Sequence, residues 1–308
     1  MTIYPALLAY QKRVPWRQAL NTPEDVNLAM TRLINKAQSM PDLWTLVSID
    51  FSAYDSTVGI ALIETAFNYI LYCFQEEFEN VINTIKNIFM NIRIITPDGI
   101  LAGIHKIPSG SGFTNEIGSL AQVAAAIDSG CLFDEDTNIR TNDFQVQGDD
   151  GVYLIKADDY KRFITSFSRH NLRVNESKSY SSPRYAVYLQ NLYDNDYKVD
   201  GVVCGIYPTY RALCRIIFQE RWSDFEDFGI EGKDYYSIRT ICILENCKYH
   251  PLFNELVKYV YNLDKYSLEF KDSSLSKYMQ MLDKSEGAGE ILRHQYGDNV
   301  SGLRSFET

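Results

Sequence analysis

Apolar residues recur at helical spacing from residue 24 to 38 (EDVNLAMTRLINKAQ), where Val26, Met30, Leu33, Ile34 and Ala37 share one face. Thr22 or Asn21 stands where a cap is needed and Pro23 suits a first turn, so a helix is predicted there. The pattern then changes. LWTLVSIDFSAYD (43–55) is a run of β-favouring apolar residues that ends in acids, and predicts a largely buried strand. Helical spacing returns over roughly 57–80, with Val58, Ala61, Leu62, Ala66, Tyr69 and Ile70 on one side. IRIITPDGILAGIHKI (92–107) predicts a hairpin turning at Pro97-Asp98-Gly99, and FTNEIGSLAQVAAAID (113–128) a helix. A second hairpin is predicted over 144–155, closing near Asp149-Asp150-Gly151, followed by a helix over 158–171 and strand-like structure over 185–194. After about residue 200 the alternation stops. TYRALCRIIFQERW, HPLFNELVKYVYNL and SLSKYMQMLDK are helical and aromatic, so a boundary is predicted near 195–205, with mixed α and β before it and α alone after it.

Composition narrows the class. At 308 residues the chain can bury a substantial core, and 45% hydrophobic with 23% charged residues is globular. No run of 18 or more apolar residues predicts a membrane span, and the N-terminal basic residues follow the short apolar stretch, the reverse of a secretory signal. The cysteines (73, 131, 204, 214, 242 and 247) form no CxxC pair. Reduced thiols are expected, with Cys242, Cys247 and His250 the nearest approach to a metal cluster. A net charge of −10 argues against a protein that simply coats nucleic acid, but not against a local basic channel.

The chemistry lies in the acids. Asp50 ends one predicted strand, and Asp149 and Asp150 sit at the turn of another. If these strands share a sheet, three carboxylates converge and repel unless a cation holds them. Oxygen ligands of this kind suit Mg²⁺, and two such ions can stabilise both the attacking and leaving oxygens of a phosphoryl displacement. By itself GDDG is also a good tight turn, and the second acid of DFSAYD would serve to cap a helix. Between them lies KIPSGSGFTNEIGS, whose Ser109-Gly110-Ser111-Gly112 run enters a helix directly. Backbone amides at such a junction can approach a phosphate or ribose closely, although a plain linker has the same composition.

In this order the segments resemble the palm of viral RNA-dependent RNA polymerases. DFSAYD looks like the first palm motif, with Asp50 and Asp55 in its acidic positions; SGSGFT looks like the second, with Ser109, Gly110 and Thr114; GDD looks like the third. Lys178 in LRVNESKS falls where a fourth-motif lysine is expected, and YLQNLY looks like the fifth-motif turn. The resemblance spans about 43–195, and its likeness is to the picobirnavirus and partitivirus group of double-stranded RNA viruses, whose second motif runs from threonine into a Gly-Ser pair. Many other viral polymerases place asparagine where this chain has Gly118. Asn115, Ser119, or Thr114 with Asp55 are then the candidates to read the ribose 2′-OH.

The resemblance implies an α+β fold: a right-hand polymerase palm with an antiparallel sheet and flanking helices, followed by a mainly helical thumb. Residues 1–42 would be partial fingers or connector, 43–195 palm with a finger-like insertion near 86–108, and 196–308 thumb. It implies template-directed transfer of nucleoside monophosphates from NTPs to an RNA 3′ end. Two Mg²⁺ ions, with Mn²⁺ as substitute, would be held by Asp50 and Asp149 with support from Asp150. Asp55, Ser109, Gly110, Thr114 and Asn115 would face the incoming nucleotide, and Lys178 would be the general acid for pyrophosphate, the alternative being a solvated lysine beside Glu176. Arg211 and Arg215 are four apart on a predicted helix and are candidates for RNA phosphates, against pairing with Glu220 or simple exposure. Tyr207 and Tyr210 could stack on RNA, but core packing is the favoured use.

The family's polymerases carry a basic fingers motif ahead of the first palm motif, and here about 49 residues precede Asp50. Lys12, Arg13 and Arg17 are a remnant of that motif or the linker after it, the linker being favoured. Expected partners are template and nascent RNA and NTPs, with a second polypeptide supplying fingers, or capsid protein, as further candidates; the expected location is host cytoplasm or virion interior. A reverse transcriptase shares the palm but usually has an aromatic-x-Asp-Asp third motif, whereas Gly148 stands in that region here. A palm subunit that binds RNA without catalysis is the non-enzymatic alternative. A metal-dependent nuclease would use the carboxylates but leaves the ordered loop and hairpin unexplained.

Overall fold

The computed structural model describes residues 3–219 and 223–284, so Glu220 and residues 285–308 of the expected thumb lie outside the described residues. The chain separates into two compact units: Met1–Leu189 with Tyr193–Val203, and Gln190–Leu192 with the chain from Cys204 onward.

In the first unit, α1 (Ile3–Gln11) precedes α2 (Pro23–Ser39), which starts as its sequence predicts. Thr22 caps it, with the Asp25 N–H donating to the Thr22 hydroxyl and the Asp25 carboxylate accepting from the Thr22 N–H, and Pro23 sits in the first turn. Strand β1 (Trp44–Ile49) follows, then the one-turn α3 (Tyr54–Thr57). The helix expected over 57–80 stops early as α4 (Ile60–Tyr72), and a second helix that the sequence reading did not separate, α5 (Glu79–Asn91), begins near its expected end. Folding back at this break brings the Phe67 and Phe89 rings edge to face at 5.6 Å between centroids, a contact that one straight helix would forbid. Glu76, Glu77 and Glu79 gather at the start of α5, where the helix dipole favours negative charge.

The expected 92–107 hairpin is short, with β2 (Ile94–Thr96) and β3 (Gly99–Leu101) paired across Pro97-Asp98 and the rest a returning loop. The remaining elements of this part are α6 (Thr114–Ile127), β4 (Phe144–Gln147), β5 (Asp150–Lys156), α7 (Tyr160–Arg169), β6 (Tyr180–Ser182) and β7 (Tyr185–Tyr188). Then β8 (Asn191–Asp194) leads to the small β9 (Lys198–Val199) and β10 (Val202–Val203) pair.

The central sheet is antiparallel throughout, in the order β4-β5-β1-β6. Its alternating side chains serve two cores. Val47, Ile49, Phe144, Val146, Tyr153 and Ile155 pack with α4, α6 and α7 residues, while Leu46, Val152 and Leu154 pack with Val26, Met30, Leu33 and Ile34 of α2. Burial of both faces is why the strands read as near-continuous apolar runs, with little polar alternation.

Among its described residues, the second unit carries four longer helices, α8 (Thr209–Ile217), α9 (Gly232–Glu245), α10 (Phe253–Leu263) and α11 (Asp272–Lys284). Two apolar clusters hold it, one around Tyr207, Ala212, Leu244, Leu256 and Val260 and one around Phe225, Ile230, Tyr235, Ile238 and Tyr278. Tyr207 is therefore a core residue, whereas Tyr210 is 82% exposed. None of the six cysteines forms a disulfide.

Candidate active site

Register places the acids. β1 pairs with β5 so that Ile49 stands opposite Gly151, and β4 pairs with β5 so that Gln147 stands opposite Asp150. Gly148 and Asp149 are then the two-residue turn, and Asp50, one residue past Ile49, leaves the sheet at the same end. Gly148 has φ 63°, a left-handed conformation that glycine adopts without steric cost. The backbone of Asp50 is clamped from the other side, its N–H donating to Ser179 Oγ (3.1 Å) and its carbonyl accepting from the Asn175 N–H (2.8 Å). Burial, and then the negative charges of Asp55 and Asp50, hold the Asp149 carboxyl above the usual carboxylate range. Asp50, Asp55 and Asp149 thus share one field.

The glycine loop folds back onto Asp55. The Ile107 N–H donates to the Asp55 carbonyl (3.2 Å), and the Ser109 hydroxyl donates to the Asp55 carboxylate. Gly110 has φ 96°, and the Thr114 hydroxyl donates to the Pro108 carbonyl (2.5 Å), closing the loop onto the first turn of α6. Ala53, with φ 53°, turns the chain between Asp50 and Asp55 at a cost of about 1–2 kcal/mol for a residue with a side chain. Around these elements lies a cavity of about 770 Å³, within the range of small-ligand sites, whose wall includes Asp55, Thr114, Asn115, Gly148, Asp149 and Asp150. Every residue lining it belongs to the first unit.

Gly118 has a local explanation. The buried Tyr54 hydroxyl donates to the Gly118 carbonyl at 2.7 Å, and a Cβ on Gly118 would meet the Tyr54 ring at 3.5 Å and Gly148 Cα at 3.8 Å. An alanine would touch these atoms; a longer side chain would have to displace the ring. Burial, then Asp149 and Asp55, push the Tyr54 phenol well above its ordinary value, so it remains a neutral donor. Gly151 is tighter still, since a Cβ there would lie 2.3 Å from Gln122 Nε2 and 2.8 Å from the Tyr153 ring.

Other expected residues are placed differently. Ser109 and Gly110 are exposed and do not line the cavity, whereas Ser111 and Gly112 do. Ser119 is fully buried and its hydroxyl is consumed by the protein, accepting from the Gly148 N–H (2.7 Å) and from Arg17 and donating to Asn115. It is therefore removed as a ribose reader. Lys178 is exposed, in the turn between Asn175 and Ser179 that clamps Asp50. On α8 of the second unit, Arg211 is exposed and Arg215 half-buried.

Sequence reasoning missed the role of Arg17, which it took for linker. Its side chain is 0% exposed and pairs with Glu116 Oε1 at 2.5 Å. The available signal was Glu116 itself, an acid on the otherwise small and apolar helix NEIGSLAQVAAA, since a buried acid needs a buried base.

Among the described residues, no group of three or more histidines, cysteines, aspartates and glutamates forms a ready-made metal cage. The acids at the cavity nevertheless suit a hard divalent ion: they offer oxygen alone, they repel one another, and Mg²⁺ is usually held by one or two carboxylates plus substrate phosphates.

The antiparallel sheet backed by helices, with acids gathered where β1 and the β4–β5 hairpin end, is a polymerase palm. The chain superposes on the crystal structure of the RNA-dependent RNA polymerase of a human picobirnavirus with a TM-score of 0.76 and 28% identity, covering 94% of this chain and 54% of that one. An insertion-loop deletion mutant of a human picobirnavirus polymerase gives 0.74 and 27%, covering 92% and 54%. Residues 26–203, more than half of the chain, match the viral RNA-dependent RNA polymerase family, and the chain belongs to that family. Over 163 residues it is 36% identical to the potential RNA-dependent RNA polymerase of Human picobirnavirus (strain Human/Thailand/Hy005102/-), covering 53% of this chain and 29% of that protein. Over 154 residues it is 29% identical to the RNA-directed RNA polymerase of Cryptosporidium parvum virus 1 (strain KSU-1), covering 47% and 29%. The chain thus spans about half the length of the solved polymerase, and its matched segments under a third of either curated relative.

Proposed function

We propose that this chain is the catalytic core of an RNA-directed RNA polymerase, adding nucleoside monophosphates from NTPs to an RNA 3′ end under direction of an RNA template. The observation that carries this reading is the meeting of Asp55, Asp149 and Asp150 with the glycine loop and α6 around one cavity, with Asp50, outside its lining, acting on Asp149 in the same electrostatic field. In this reading Asp50 and Asp149 hold the divalent metal and Asp150, at the first position of β5, supports it. Bound there, a pair of Mg²⁺ ions would supply the positive charge needed to activate the 3′ hydroxyl and stabilise the leaving pyrophosphate.

The rest belongs to the chain's own groups. With the Asp149 carboxyl held above its usual range, protons compete with loading of the site, and loading weakens as the pH falls. Asp55 keeps one carboxylate oxygen for a ribose hydroxyl while Ser109 holds the other. Asn115 and Thr114, on the cavity wall, complete the ribose contact. Lys178 is the proposed acid for pyrophosphate, carried by the turn that clamps Asp50. In this assignment residues 43–195 act as palm and 196–308 as thumb, with Arg211 and Arg215 as candidate contacts to RNA phosphates, and the chain works in the host cytoplasm or inside the virion.

The test is nucleotide incorporation on a short primed RNA template with Mg²⁺ or Mn²⁺, comparing the chain with Asp149→Asn. Template-dependent ribonucleotide addition that disappears in the variant supports the reading; equal addition by both sinks it. In one variation of this reading another polypeptide supplies further fingers. In that case neither protein extends the primer while the wild type still binds NTP with metal.

A further inference from the structure

Arg17 lies outside the family-matched residues 26–203, yet it reaches the back of the cavity. The segment before α2 is laced along the outer edge of β4: the Val146 N–H donates to the Trp16 carbonyl (3.1 Å), Gln145 Nε2 to the Pro15 carbonyl (2.8 Å), and the Gln18 N–H to Gln145 Oε1 (3.2 Å). Trp16 stacks on Phe144 with 5.9 Å between ring centroids. This lacing drives the Arg17 guanidinium between β4 and α6. There Nη2 donates to Glu116 Oε1, and Nη1 donates to the Ser119 hydroxyl, to the Val146 carbonyl (3.4 Å) and, at the long limit, to Asn115 Oδ1 (3.5 Å).

The donor inventory then decides how the Asn115 amide is turned. Ser119 Oγ has two acceptor positions, and these receive the Gly148 N–H and Arg17 Nη1. Its one proton goes to Asn115, at either the backbone carbonyl (2.7 Å) or Oδ1 (3.2 Å). A flipped amide would set the Asn115 NH₂ against the fully buried guanidinium, donor against donor. The oxygen must therefore face Arg17 and Ser119, which leaves the NH₂ group as what Asn115 offers to the cavity.

Resting on the polymerase reading above, we propose that Arg17 is a positioning residue for ribose recognition, holding Asn115 so that its side-chain NH₂ donates to the ribose 2′-oxygen of the incoming nucleotide. The same contacts tie α6 to the Gly148 turn through Ser119, so the sugar reader and the acid-bearing turn are set from one guanidinium. Glu116 balances the charge, and Asn115 and Ser119 receive the geometry.

The experiment compares equilibrium binding of ATP and 2′-dATP, with Mg²⁺ and without RNA, for four proteins: wild type, Asn115→Ala, Arg17→Lys, and the charge-balanced double variant Arg17→Met with Glu116→Gln. Removing both charges avoids stranding a buried Glu116. The wild type should prefer ATP by about five- to tenfold, the value of one hydrogen bond. Asn115→Ala and the double variant should each bring the ratio of ATP to 2′-dATP affinity close to one, and combining them should add no further loss of preference. Arg17→Lys keeps a charge beside Glu116 but lacks the planar fork, so it should fold and lose the preference as well, which serves if the double variant fails to fold. Loss in Asn115→Ala alone, with Arg17→Lys and the double variant discriminating as wild type, overturns the role of Arg17 and leaves the polymerase reading intact. A wild type that binds neither nucleotide, or both equally, overturns the ribose assignment on which the inference rests.

Discussion

Strand β4 has an aspartate just beyond each end, and the two are treated in opposite ways. Asp143, one residue before Phe144, is buried between two cations: Lys36 Nζ lies 2.8 and 2.7 Å from its oxygens and Arg140 Nη1 lies 2.6 Å from Oδ2. The Trp44 ring backs both cations, with Arg140 Cζ 4.8 Å and Lys36 Nζ 5.5 Å from its centroid. Asp149, in the turn at the other end, has Asp50 and Asp55 as its electrostatic neighbours and a raised pKa. The fold can therefore compensate a buried carboxylate where the need is structural. At the cavity it leaves like charges facing one another, which disfavours the empty site and favours any cation that enters. Arg17 is of the first kind, a buried charge matched by Glu116, although it stands next to the second.

The comparison breaks most sharply at Asp149. Asn there should reduce primed incorporation by on the order of a hundredfold or more, read as single-turnover rate, because charge lost at the reacting centre is lost where it is worth most. At the opposite end of the strand, Asp143→Ala should leave the chemistry's residues untouched and instead cost about 2–3 kcal/mol in urea unfolding, since it strands the half-buried Arg140; Lys36 is 46% exposed and contributes less. An unchanged urea midpoint would mean the cation pair is decoration.

Gly151→Ala sharpens the contrast from behind. The new methyl would press on Gln122 and Tyr153, both fully buried, and should cost about 1–3 kcal/mol. Adding Gln122→Ala should recover part of that loss, and the absence of any recovery would place the strain elsewhere.

The smallest effect concerns pH. A carboxyl whose folded pKa is raised contributes stability that is fully present below its unfolded pKa and is lost as pH rises through the folded value. Asp149→Asn should therefore melt above the wild type at neutral pH, and the gap should close as the pH falls below the raised value. Mg²⁺ should raise the melting temperature of the wild type and leave that of the variant nearly unmoved; equal shifts would show that the metal binds somewhere other than Asp149.

Much of this could be read along the chain because it depends on local spacing. Thr22, Pro23 and Asp25 specify the start of α2 through neighbours within three residues, and Gly148-Asp149 specifies a turn through backbone freedom. The helix over 57–80 misled for a related reason. Val58, Leu62, Ala66 and Ile70 keep their period, but periodicity carries no information about where a helix must stop to bring Phe89 back onto Phe67. Ser119 is the sharper lesson, for its residue type suits ribose recognition and only its burial and three partners withdraw it.

Determined by sequence alone were the start of α2, the acid-bearing ends of β1 and the β4–β5 turn, the glycine loop that enters α6, and through them the polymerase family. These are properties of residues near one another in the chain, where backbone angles and hydrophobic period decide. Tertiary structure alone decided that Asp50, Asp55 and Asp149 share one field, that Tyr54 lies against Gly118, and that Arg17 is buried between β4 and Glu116. Each of these depends on distance and desolvation between segments as far as 129 residues apart, and an electrostatic interaction has no sign or size until folding brings its partners together and removes the water between them.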